Sequence, residues 1–180
     1  KQTVGAIVLA TGTTCFDPSV GKNPMGYGKV PNVVTSLEFE RLLSGTGPDG
    51  GRLLRPSDKR PLKKAAWIQC VGSRDLQSGA DFCSTTCCMF ALKEVAVAQT
   101  LVGDDFQATV IYMDMRTFGK SFERYGQQTG SPARVRLERG RVHSIAATSS
   151  SDDVAIRWTS ASGKTHEALF DLVVLSIGQR

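Results

Sequence analysis

Along this chain, short runs of consecutive apolar residues alternate with stretches rich in Gly, Pro, Ser and charge. GAIVLATG (residues 5–12) and DLVVLSIG (171–178) are apolar runs that end in glycine, the pattern of a fully buried strand running into a tight turn. They bracket the remaining sequence, as if two strands of one sheet flanked a domain hung from it. Residues 13–60 read as a long surface connector with one short helix at SLEFERLLSG, Ser36 its N-cap and Gly45 its stop. From Lys64 the pattern becomes strand, helix, strand: AAWIQCV, the loop GSRDLQSGADF, a helix from about Ser84 to Leu101, then ATVIYMDM. That order predicts a right-handed parallel crossover. A helical segment over 118–128 precedes short strands at RVRLERG, VHSIAAT, DVAIRWTS and THEALFDL, with SASGKT as a hairpin turn.

The expected fold is therefore α/β, a Rossmann-like parallel sheet completed by an antiparallel β meander and flanked by strands of a second domain. Residues 1–14 are a strand and turn of that second domain, 15–60 a connector, 61–170 the central domain and 171–180 the returning strand. Because Lys1 leads almost at once into an apolar strand, the chain is expected to begin inside a larger protein.

Composition adds exclusions. With 41% hydrophobic and 22% charged residues in 180, one core can be buried. No run approaches the roughly 18 apolar residues of a membrane span, so no membrane insertion is expected. The formal charge of +5 comes from lysines and arginines scattered among 17 acids. They form no basic patch interleaved with aromatics, so no nucleic-acid partner is expected.

Five cysteines stand at 15, 70, 83, 87 and 88, four of them within 19 residues, which is not the spread of a secreted disulfide framework. The spacing points to a cytoplasmic chain with a metal or redox site. Cys70 is expected at the carboxyl end of its strand, with Cys83, Cys87 and Cys88 in the first turns of the following helix, at the crevice where open parallel sheets bind ligands. On a helix Cys83 and Cys87 share a face, and Cys88 lies about 100° further round. The positive helix end lowers thiol pKa and suits an anionic iron–sulfur cluster with four thiolate ligands. A redox-active disulfide, a zinc site and plain buried cysteines remain alternatives. Where a dinucleotide site would show GxGxxG, this chain reads CVGSRD, with only Gly72 comparably placed.

Other residues carry weaker signals. Arg116, Lys120 and Arg124 would form a basic stripe if helical, for tuning a cofactor or docking a partner, or simply a solvated face. Arg74 and Asp75 would cap the site and Ser73, Ser84 and Thr85 would donate to cluster sulfurs, or each would serve ordinary turn chemistry. Met89, Phe90 and Leu92 read as helix core, Cys15 as a bystander, and His143 and His166 as surface or satisfied groups.

The segments PNVVTSLEFERLLS, IQCVGSRD, FCSTTCCMFALKEV, YMDMRTFGKSFERY and DLVVLSIG together resemble the heterodisulfide reductase A-subunit family, as do related subunits of quinone-interacting oxidoreductases. The resemblance covers essentially the whole chain. It implies an oxidoreductase subunit with a thioredoxin-reductase-like flavoprotein core, in which a 4Fe-4S cluster is held by the cysteines matching Cys70, Cys83, Cys87 and Cys88 and electrons pass to other subunits. Ala10, Thr11 and Gly12, with Gly178 at the other end, would lie near FAD. The upstream GxGxxG that would carry the FAD pyrophosphate is not in this sequence, so FAD is expected in the intact protein. The alternatives are a pyridine-nucleotide-dependent disulfide reductase domain, with exchange at Cys87 and Cys88 or Cys83 and Cys87, and a structural zinc or interaction domain.

Overall fold

The computed structural model describes residues 1–20, 24–130, 135–149 and 151–179. Seven strands form one sheet in the order β1-β7-β2-β3-β4-β5-β6. They are β1 (Val33–Thr35), β2 (Lys64–Val71), β3 (Gln107–Tyr112), β4 (Arg136–Ala147), β5 (Val154–Ser160), β6 (Thr165–Phe170) and β7 (Leu172–Ile177). The helices are α1 (Ser36–Leu43), α2 (Cys87–Val102) and α3 (Lys120–Thr129). Pairing is parallel from β1 through β7, β2 and β3 to β4, then antiparallel through β5 and β6. The Rossmann-like sheet with its meander is thus present.

The central strands are apolar on both faces because both faces are covered. On one side, α1 and α2 pack on Trp67, Val110 and Val174, with Phe39 and Phe106 edge-on to the Trp67 ring. On the other, the curled meander brings Ile145, Ile156 and Trp158 onto Ile68, Ile111 and Leu175, together with Phe16 and Met25 of the connector.

Several local expectations change. Residues 5–12 form no strand, and Ile7, Val8 and Leu9 are 78–89% exposed. An apolar run forms a buried parallel strand only where neighbours supply ladder partners, and none of the described residues does so here. DLVVLSIG does become a strand, but β7 lies between β1 and β2, in the interior of this sheet. The connector contributes β1, too short to stand out as an apolar run. The N-cap of α1 is Thr35 rather than Ser36: Thr35 and Glu38 form a reciprocal capping box, and the helix ends at Ser44. RVRLERG and VHSIAAT are one strand, β4, pairing with β3 over its first residues and with β5 from Gly140 onward.

Candidate functional site

Cys70 occupies the end of β2, where the register against β7 shifts between Ile68 and Val71. Its φ of +62° is in the left-handed region, as are those of Arg74 (+56°) and Thr85 (+63°). Three strained non-glycine residues within one short stretch are the kind of backbone that functional sites hold in place. The loop from Gly72 to Thr86 is braced across its width. The Asp75 N–H donates to the Ala80 carbonyl at 2.7 Å and the Arg74 N–H to that of Phe82 at 2.9 Å. Ser73 Oγ donates to Phe82 O at 2.9 Å and accepts from the Ser84 N–H at 3.1 Å. Ser73 thereby fastens the segment carrying Cys83 to the one that follows Cys70.

The helix starts later than expected, with Cys87 as its first residue after the N-cap Thr86, which makes no side-chain cap. Cys83 therefore sits in the loop, and the shared helical face expected of Cys83 and Cys87 does not exist. The juxtaposition is tertiary instead. Cys87 Sγ reaches the carbonyl of Ile177, which pairs with Val71 beside Cys70, and Ser84, next to Cys83, bonds Ser73 of the loop that follows Cys70. All are free thiols, Cys87 and Cys88 buried, Cys70 and Cys83 half-buried.

Each sulfur has a polar neighbour. Ser84 Oγ lies 2.9 Å from Cys87 Sγ, which also donates to Ile177 O at 3.5 Å. The Thr85 N–H donates to Cys83 Sγ at 3.3 Å, and the Arg116 N–H to Cys88 Sγ at 3.4 Å. Arg74 lies beside Cys70 and forms an ion pair with Asp114, which also binds Arg116. Of the expected hydroxyl donors, only Ser84 reaches a sulfur; Ser73 ties the loop and Thr85 Oγ1 donates to Ser84 O. Arg116 precedes α3, so no helical stripe joins it to Lys120 and Arg124.

Burial dominates the thiol chemistry. It pushes Cys70 up to about 11, partly offset by Arg74, and raises Cys87 and Cys88 despite Ser84 and the Arg116 N–H. Such thiols are protonated at neutral pH, whereas disulfide exchange requires a thiolate. A metal supplies the positive charge that makes adjoining buried thiolates stable. Among the described residues no three His, Cys, Asp or Glu side chains converge on a point fit for a single ion. Zinc gathers its ligands on one ion, while a 4Fe-4S cluster distributes them over several irons. The donor set, four thiols with hydrogen-bond donors at the sulfurs, fits the cluster's chemistry.

Gly178 belongs to this site through packing. Its N–H donates to Val71 O at 2.8 Å. A Cβ there would lie 2.8 Å from Gly72 O and 2.9 Å from Ser73 Cβ. At the other end of the chain, Ala10, Thr11 and Gly12 are exposed and outside the sheet. Beside Cys70 opens a cavity of about 650 Å³ bordered by Phe16, Met25, Gly72, Arg74, Tyr112 and Arg141. His143 bonds Thr159 and His166 stacks on Trp158, both in the meander.

Comparison with known proteins bears on the same cysteine segment and the rest of the chain. The sequence is 38% identical over 179 residues to the second iron-sulfur A subunit of CoB--CoM heterodisulfide reductase from Methanopyrus kandleri, covering 99% of this chain. The chain is a relative of the heterodisulfide reductase A subunits. Identity to the iron-sulfur A subunit of CoB--CoM heterodisulfide reductase from Methanocaldococcus jannaschii is 40%, again over 99% of the chain. With the A subunit of H(2):CoB-CoM heterodisulfide,ferredoxin reductase from Methanothermobacter marburgensis it is 38% over 97%. The chain spans about a quarter of the length of these curated relatives, 26–27%. No family model matches it. Among solved structures, 2-naphthoyl-CoA reductase superposes with a TM-score of 0.52 at 14% identity, covering 94% of this chain and 19% of that one, which establishes likeness of fold. Among the described residues no helix is long and apolar enough to cross a membrane.

Proposed function

We propose that this chain is the electron-relay part of a cytoplasmic oxidoreductase of the heterodisulfide reductase A kind, with a 4Fe-4S cluster ligated by Cys70, Cys83, Cys87 and Cys88. The observation that supports the reading is that four free thiols are carried by a strand end, the braced loop that follows it and the helix start after that loop, with polar neighbours at their sulfurs. The bound cluster would supply one-electron transfer. The chain's own residues would hold it as thiolates, favoured by the positive end of α2. Ser73 keeps the loop closed, and Ser84, Thr85 and Arg116 offset the negative charge on sulfur. The relatives' names support the assignment, since two of them are called iron-sulfur subunits.

In the intact protein a bound FAD would supply electron exchange with this centre, and other subunits of the complex would receive or deliver the electrons. The exposed Ala10, Thr11 and Gly12 would pack near FAD within residues 1–14, whose apolar side chains then gain a sheet. Gly178 would stand at the flavin side, and the cavity beside Cys70 gives the flavin ring a place of approach.

The test is anaerobic reconstitution of the chain, with iron and sulfide analysis and EPR of the dithionite-reduced protein, wild type against Cys87→Ser. About four irons and four sulfides per chain, with a signal lost in the variant, are expected. Tight zinc binding or reversible disulfide formation in place of iron uptake would overturn the reading.

A further inference from the structure

Within β2 the apolar run from Ala65 to Val71 is interrupted by one polar side chain, Gln69, directly before Cys70. Gln69 is only 8% exposed and its neighbour across the sheet, Ser176 of β7, 1%. Gln69 Nε2 donates to Ser176 Oγ at 3.0 Å. By strand alternation Ser176 shares a face with Val174, which packs under the helices. The next residue, Ile177, accepts the Cys87 thiol on its carbonyl. Gln69 is thus one residue from Cys70 along its own strand and one residue from the Cys87 contact along the other.

Gln69 Oε1 has no hydrogen-bond partner among the described residues. An orphaned buried amide oxygen carries its full desolvation penalty, and strands seldom hold one without a use. Half a turn of the terminal amide reverses its roles. The oxygen then accepts from Ser176 Oγ, and both N–H donors face the side where Oε1 now finds nothing. Gln69 and Cys70 border the same cavity, and with no anion there those donors would be the costlier orphans. Beside an anionic cluster they are satisfied, and N–H groups directed at cluster sulfur stabilise the extra negative charge of the reduced form.

We propose that the Gln69 side-chain amide donates hydrogen bonds to the cluster held by Cys70, Cys83, Cys87 and Cys88 and so raises its reduction potential. This rests on the cluster reading above. Gln69→Met keeps side-chain length and burial while removing both donors.

The experiment compares the reconstituted wild-type chain with Gln69→Met by EPR-monitored redox titration at equal iron content. The variant's reduction equilibrium should become less favourable by about tenfold, a fall of about 59 mV for a one-electron couple. An unchanged midpoint in a fully loaded variant overturns the proposal. Should Gln69→Met not load, the decision passes to wild type carrying glutamine labelled with ¹⁵N at the side-chain amide. Pulsed EPR of its reduced cluster should show a ¹⁵N coupling. That coupling should persist in Gln77→Met, which removes the other glutamine bordering the cavity beside Cys70. Its absence, or its loss in Gln77→Met, overturns the proposal. A wild-type chain that takes up no iron overturns the cluster reading instead.

Discussion

The indole N–H of Trp67 donates to Glu94 Oε2 at 2.8 Å, joining β2 to α2 at a point where both side chains are fully buried. Glu94 Oε1 has no hydrogen-bond partner among the described residues. Burial, reinforced by Glu40 of α1 and opposed by the Trp67 bond and by Lys93, pushes this carboxyl up to about 8.

Glu94 therefore makes stability fall with rising pH. Its folded pKa lies above the ordinary 4.5, so its contribution is fully present below pH 4.5 and is lost as pH rises through about 8. Between those limits this group contributes a slope approaching about 1.4 kcal/mol per pH unit. Urea unfolding from pH 5 to 9 should show this decline in wild type and a flatter profile in Glu94→Gln. Equal slopes in the two proteins would show that Glu94 ionises freely.

Ser73 is expected to act on the site without touching a sulfur. Ser73→Ala removes two hydrogen bonds across the cysteine loop, costing about 1–3 kcal/mol of local order. Under the cluster reading, iron should be lost to a chelator about 10–100-fold more readily. Retention equal to wild type would leave the bracing of Cys83 to the loop's backbone bonds.

Two glycines of the flavin reading should respond differently to alanine. At Gly178 the added Cβ meets Gly72 backbone at 2.8 Å, so β7 and the Cys70 loop must separate, at about 1–3 kcal/mol. At Gly12 nothing lies within 4 Å, and only its φ of +75° opposes the change, for about 1 kcal/mol. Thermal unfolding should rank Gly178→Ala well below Gly12→Ala, and the reverse order would contradict the packing described.

Arg55 holds distant segments together. It is 2% exposed, bonds Asp153 at 2.6 Å and the Ser151 carbonyl at 2.8 Å, and lies 3.6 Å from Asp171. Replacing it by Met leaves these acids without their cation and should destabilise the chain by about 3 kcal/mol. Chemical denaturation gives the value, and a loss below about 1 kcal/mol would mean that the acids are solvated like a surface pair.

Much of this was legible in the residues. Unbroken apolar runs mark strands covered on both faces, so β2, β3 and β7 could be read directly, as could α2 from its length. The placement of Cys70 at a strand end and of Cys87 and Cys88 at the next helix start was legible too, because strand and helix alternate in a parallel sheet. What could not be read were the relationships between distant segments. GAIVLATG and DLVVLSIG carry the same pattern, yet one is exposed here and the other lies inside the sheet, because an apolar run encodes a preference for burial and says nothing of which strand pairs with it. Cys83 falls off the helix because the start of α2 depends on loop hydrogen bonds through Ser73 and Ser84. Gln69 stood in plain view as a polar break in β2, but its meaning needed Ser176 and Ile177, more than a hundred residues away. Local chemistry fixed which side chains could ligate and which segments would be buried; only the tertiary pairing, a property of the whole chain, decided what each would face.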